Sequence, residues 1–182
     1  VLSQTRAYPE RIRGYKVERA VVEVKKPAAK QAPNQNDGSS QPDANADDLI
    51  RLGKPELAKI TPLGITFATP LVVAPVTQSG HVDFLLFEDM VINGHSVSID
   101  EYHRGFDLPS KQPLTLSDPL RIYIYLSSAV LAVLDDWTDS KETWPVIGRI
   151  YACGKYRKGI LSFKRCIPVE LNLTMRNPLK EQ

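Results

Sequence analysis

The chain has 182 residues, 42% of them hydrophobic and 24% charged, and a formal net charge of +2. That suffices for one domain of ordinary size with tails and a real core, and the net charge is too small to argue for nucleic acid as a partner. No apolar run approaches the ~20 residues of a membrane-spanning helix, and no signal-peptide pattern of charged, apolar and small-residue zones is present. The charge is uneven, however. Residues 1–30 carry eight Lys/Arg against three Glu and residues 149–182 carry eight against two acids, so two basic ends flank an acidic centre. The first residue is Val1 rather than Met, which leaves a removed leader or an upstream anchor open.

Residues 1–25 read as a basic arm holding Arg6, Arg11 and Arg13, with a Val-rich strand over 15–24 that places Ala20, Val22 and Val24 on one face. Residues 26–56 read as a low-complexity linker or long loop, because 26–48 contain no large apolar residue to repay the entropy of ordering. A main domain is expected over 57–178, followed by a short tail over 179–182. Within it, residues 65–76 predict two short strand pieces broken by Pro70 and Pro75, since proline cannot donate to a central ladder. A strand follows over 82–87 and continues through 90–92 beyond a kink at Glu88 and Asp89. Asn93-Gly94 is a hairpin signal, because both central positions of a type I′ turn need positive φ. Val97 and Ile99 form the return strand, and 100–119 read as a surface crossing that dips Phe106 and Leu108 into the core.

The stretch LRIYIYLSSAVLAVLDDW, residues 120–137, changes period midway. Leu120, Ile122, Ile124 and Leu126 alternate with polar or amphipathic residues as in a strand, whereas Val130, Val133, Leu134 and Trp137 fall at helical spacing after a Ser127 or Ser128 cap. The helix from Ser128 to Trp137 is expected to close one end of the core, with Trp137 or Trp144 as its plug. A polar turn, a strand over 144–154, a basic loop over 155–159 and a strand over 161–175 complete the chain. The last has Leu161, Phe163, Ile167, Val169, Leu171, Leu173 and Met175 on one face, the pattern of a sheet packed on one side and wet on the other. Six or so short strands at regular spacing with one helix predict a mainly β fold, an antiparallel β-sandwich.

Little of the sequence points to chemistry. His81, His95 and His103 show no metal-ligand spacing, and a metal at His81 and His95 would also need a carboxylate such as Asp83 or Asp100. Asp100-Glu101 and Asp135-Asp136 are sequence neighbours that point apart, which defeats shared acid/base work. With no phosphate loop, nucleophile elbow or triad pattern, the expectation is a protein that is not an enzyme and has no cofactor or metal. The Asn172-Leu173-Thr174 sequon lies inside a predicted strand and carries little weight.

Cys153 and Cys166 flank the basic loop on consecutive strands. A hairpin centred near Gly159 and Ile160 brings them within disulfide reach, which would fit an oxidising compartment; a register shifted by two residues leaves two buried thiols instead. The cationic cluster Lys155, Tyr156, Arg157, Lys158, Lys164 and Arg165 is the stretch of most functional interest. With Arg6, Arg11 and Arg13 it could meet anionic lipid headgroups or an acidic protein surface, or be an ordinary solvated turn.

VDFLLFEDMVINGHSV, FDLPSKQPLTLSDPLRIYIYL, the SSAVLAVLDDW segment, WPVIGRIYACG and CIPVELNL together resemble the late-embryogenesis-abundant, water-stress and hypersensitive-response type domain over residues 57–176. That family usually carries Asn-Pro in its first long strand, where this chain has FEDMVING. The resemblance implies a fibronectin-type-III or immunoglobulin-like sandwich with one helix, no catalytic machinery, and roles in stress protection or in binding proteins and membranes. Two readings follow. One is a non-catalytic accessory module of a larger assembly, with a protein partner or membrane complex, extracytoplasmic or membrane-associated. The other is a stress-protective protein acting in solution, for which a cytoplasmic location stays open. A small-ligand carrier using the gap between sheets is a third, weaker one.

Overall fold

The computed structural model describes residues 7–20, 22–25, 49–125 and 141–180. The expected helix from Ser128 to Trp137, most of the expected linker and Arg6 lie outside these residues. Among the described residues the protein is mainly β, with essentially no helix.

Two small strands come first, β1 (Arg11–Ile12) and β2 (Tyr15–Val17), joined through Arg13 and Gly14, which both take positive φ. The expected strand over 15–24 is therefore shorter than its valine content suggested. It stops at Val17, and Val24 makes only an isolated bridge to Val76. Next come β3 (Ile50–Leu52), β4 (Glu56–Thr61), β5 (Gly64–Thr69) and β6 (Leu71–Val73). β3 falls inside the stretch read as linker, so the main domain, expected from 57, already includes Ile50, whose side chain is buried. Pro70 does more than interrupt a strand. β5 and β6 on either side of it belong to different sheets, as expected of a residue that cannot continue the ladder.

β7 (Ser79–Ile92) runs for 14 residues, with the expected kink at Asp89, whose φ is 50°. The kink is a β-bulge: Ile147 pairs with Val91 but Arg149 with Glu88, so β7 carries an extra residue there. Gly148 sits opposite at φ 152°, a conformation that side-chain-bearing residues rarely adopt, and a Cβ on it would crowd Met90, whose Cα would lie 3.0 Å away, so glycine is favoured here. Asn93 (φ 49°) and Gly94 (φ 80°) make the type I′ turn that the dipeptide predicted. The return divides at Val97 into β8 (His95–Ser96), which pairs with β7, and β9 (Ser98–Ile99), which pairs with a different sheet. Short β10 (Phe106–Asp107) and β11 (Leu114–Thr115) punctuate the crossing, which also buries Tyr102 and Leu116. β12 (Leu120–Tyr125) is the strand its alternation predicted. β13 (Thr143–Lys158) and β14 (Leu161–Arg176) are 16 residues each, and the expected basic loop over 155–158 is strand instead.

These strands form three sheets: β1-β2-β14-β13-β7-β10 with β8 on β7, then β11-β6-β3, and β4-β5-β12-β9. All pairings are antiparallel except β2 with β14. The three meet around one hydrophobic cluster, to which Leu71, Phe67, Ile122, Trp144, Val146 and Ile150 contribute side chains no more than 1% exposed. Each such burial is worth about 1.5–3 kcal/mol, so this cluster is the main favourable contribution to folding. A smaller cluster lies on the opposite face of the large sheet. There Tyr8, Ile12, Tyr15 and Val17 of the N-terminal arm cover Tyr151, Cys153 and Cys166.

Candidate functional site

The β13–β14 hairpin is the longest element, and its turn is the two-residue Gly159-Ile160 pair between Lys158 and Leu161. Gly159 has φ 62° and Ile160 is not among the positive-φ residues, the pattern of a type II′ turn, in which glycine takes the first central position. β7 follows β13 as far as the Arg157–Ser79 pair, and Gln78 Nε2 donates to the Arg157 carbonyl at 2.9 Å. Beyond that point only Lys158 to Leu161 project, and no atom would meet a Cβ built on Gly159 within 4 Å.

The ladder fixes which residues share a face, because cross-strand partners point the same way and neighbours alternate. Cys153 opposes Cys166 with 4.0 Å between Cα atoms, and their sulfurs are bonded. Continuing outward on that face, Lys155 opposes Lys164 and Arg157 opposes Ser162. The other face carries Tyr156 against Phe163 and Lys158 against Leu161. Thus the end of the hairpin has a cationic side and a side with apolar residues.

The sequence-predicted residues divide accordingly. Lys155, Arg157 and Lys158 are exposed and have no ion-pair partner among the described residues. Lys164 is exposed with its Nζ 5.7 Å from the Tyr15 ring centroid. Arg165 is committed locally, its Nε donating to Glu18 at 2.8 Å and its guanidinium lying 5.3 Å from the Phe163 ring. That hydrogen bond, aided by the charges of Arg165, Lys16 and Lys158, holds the Glu18 carboxyl below its ordinary range. Arg11 is exposed on β1 opposite Lys16, which in turn pairs with Arg165, so these three cations lie in one row across adjacent strands. Arg13 is engaged elsewhere, paired through both guanidinium nitrogens with Glu101 and 5.1 Å from the Phe84 ring. Tyr156, expected with the cations, is buried: its hydroxyl donates to the Ala152 carbonyl at 2.6 Å. Period-two alternation accounts for this, since Lys155 and Arg157 face out and the residue between them must face in.

Three apolar residues at the same end belong with the cations: Leu161 and Phe163, expected on the packed face of the last strand, are 58% and 36% exposed because that face runs past the core here, and Ile160 in the turn is 102% exposed. The readable signal was Ile160 itself, a large β-branched residue at the second central position of a turn whose geometry asks only for glycine at the first.

Other polar groupings are internally satisfied. Arg149 bridges Glu170 at 2.7 Å and Glu88 at 3.2 Å, Tyr151 donates to Glu88 at 3.0 Å, and Tyr8 donates to Glu170 at 2.8 Å. His81 Nδ1 lies 2.8 Å from Asp107, and its Nε2 lies 3.8 Å from Asp83, which accepts from Tyr15 at 2.7 Å. Among the described residues no group of three or more His, Cys, Asp or Glu is placed to hold a metal ion. No described helix is long and apolar enough to cross a membrane.

No protein-family model matches the chain, and no curated protein matches it. A crystal structure of a protein from Archaeoglobus fulgidus aligns over 70% of this chain and 95% of that one, at 12% identity and a TM-score of 0.32. A likeness at that level carries no argument about this chain.

Proposed function

We propose that the protein is a non-catalytic accessory module that docks on an acidic surface of a membrane-associated assembly through the end of its β13–β14 hairpin. The observation that carries this reading is the Lys155–Lys164 pair, two like charges directly opposite one another, with Arg157 beside them and no acid within residues 155–165. Like charges directly opposite across strands are destabilising, so the arrangement costs the free molecule stability and becomes favourable when an external anion is present. As part of the same proposal, the sheets form a fibronectin-type-III or immunoglobulin-like sandwich of the kind implied by the late-embryogenesis-abundant resemblance. Support comes from the single cluster to which all three sheets direct alternate side chains. The disulfide fits an extracytoplasmic setting.

No specific observation favours stress protection in solution. For a small-ligand carrier, the gap between sheets, bordered by Val22, Leu49, Phe106 and Tyr156, is apolar but holds only ≈ 50 Å³. Benzene enters an engineered core cavity of about 150 Å³.

The test is retention on membranes of the source cells. The parent chain is expected to sediment with them at low salt and to be released at about 0.5 M salt, where charges are screened beyond a few ångströms. A Lys155→Glu, Arg157→Glu, Lys164→Glu variant that is folded is expected to stay in the supernatant. Equal retention of that variant would contradict the proposal.

A further inference from the structure

We infer that the surface met by the hairpin is anionic lipid, and that Ile160, Leu161 and Phe163 enter the headgroup region while Lys155, Arg157, Lys158 and Lys164 hold the lipid anions; this rests on the docking reading above. The amphipathic arrangement favours a lipid occupant over an acidic protein groove. Leu161 and Phe163 share one face of the hairpin end, and Lys155, Lys164 and Arg157 share the other. An exposed apolar edge beside a cationic one is the complement of a lipid interface, where hydrocarbon and negative headgroups lie within one side-chain length of each other. Ile160 sharpens this. Its side chain touches so little of the protein that it is as exposed as in an isolated residue, at 102%, and the turn does not require it. Lys158, on the apolar face opposite Leu161, has a stem long enough to follow the buried chains while its ammonium stays at the headgroups.

Apolar insertion and charge attraction leave separable signatures. Vesicles of phosphatidylcholine alone and of phosphatidylcholine with phosphatidylserine serve as probes, with the full chain and three variants, Ile160→Ser, Ile160→Trp and Lys155→Ala/Arg157→Ala. The parent is expected to bind the anionic vesicles and to leave the neutral ones largely free. Ile160→Ser should weaken binding about tenfold, corresponding to the loss of one inserted apolar side chain. Lys155→Ala/Arg157→Ala should weaken it about fivefold per charge removed and flatten its salt dependence. Ile160→Trp should bind at least as well as the parent, and its added fluorescence should be quenched by lipids brominated near the headgroup. Both position-160 variants should unfold at the parent's temperature, since the side chain packs on nothing.

Failure of the parent to bind anionic vesicles would overturn the inference, as would Ile160→Ser binding like the parent. In either case, continued charge-dependent retention on native membranes would leave the docking reading standing with a protein as its occupant. Loss of both would remove the two together.

Discussion

Thr69 shows how a single side chain reports on packing. It lies on β5 opposite Leu120, is completely buried, and its hydroxyl finds no hydrogen-bond partner among the described residues. An unpaired buried hydroxyl costs about 1–3 kcal/mol, so Thr69→Val, which keeps the shape and removes the polar atom, is expected to stabilise the protein by about 1 kcal/mol in urea unfolding. A fall in the midpoint would mean that the hydroxyl is satisfied. Tyr156 makes a pH-dependent counterpart. Burial, aided by the Asp83 charge, pushes its phenol well above the ordinary 10.0. In the unfolded chain the phenol ionises near pH 10, whereas the folded protein must keep its proton. Stability from this group is therefore complete below about pH 10 and declines as the pH rises past it. Alkaline unfolding of a Tyr156→Phe variant should show a shallower decline, after a loss at neutral pH of about 1 kcal/mol for the hydrogen bond to Ala152. An unchanged slope above pH 10 would contradict this assignment. Tyr156 was also the residue that composition misplaced. Its neighbours are cations, but the face it occupies follows from strand alternation that extends through Lys158.

Among the elements, the β13–β14 hairpin was legible in outline and not in detail. Alternation along 161–175 marked the strand, and the position of Gly159 and Ile160 marked the turn. The run Lys155–Lys158 concealed the continuation of β13, because four residues dense in charge satisfy no hydrophobic template although their backbone pairs fully with β14 and, as far as Arg157, with β7. Register then decided everything of functional interest. The opposition of Lys155 to Lys164 exists only in this pairing, and a shift of two residues would remove both it and the Cys153–Cys166 contact. The disulfide pins that register near the exposed end, with 13 residues of sequence separation. For a loop of this size its loss is expected to cost about 2–3 kcal/mol. Cys153→Ser/Cys166→Ser should unfold at correspondingly lower denaturant, and reductant should shift the parent in the same direction and leave the variant unmoved. A double variant as stable as the parent would show that the long ladders alone hold the register.

Across the molecule, what local patterns could not show was how the chain distributes its strands among sheets. The chain changes sheets at Pro70, where a break is legible, and at Val97, where a single return strand is expected, and no periodicity shows which sheet the following residues join. The sequence marks residues 1–25 as a basic arm with a strand, and the structure adds what that arm covers: Tyr8, Ile12, Tyr15 and Val17 pack on the outer face of the large sheet and Arg13 is held by Glu101. Its aromatic residues were the signal, outweighed in the reading by its arginines. One consequence is spatial. The arm covers the outer face around Tyr151, Cys153 and Cys166, and Lys155, Arg157, Lys158 and Lys164 lie beyond it towards the Gly159–Ile160 end. The Asn93–Gly94 turn lies at the other end of the same sheet, roughly 50 Å away along the 16-residue β13. Hydrogen–deuterium exchange of the protein on native membranes, compared with the free protein, can therefore tell the two ends apart. Docking through the hairpin predicts slowed exchange confined to residues around 157–162, with the Asn93–Gly94 turn unchanged. Unaltered exchange at 157–162, or protection at the opposite end instead, would contradict it.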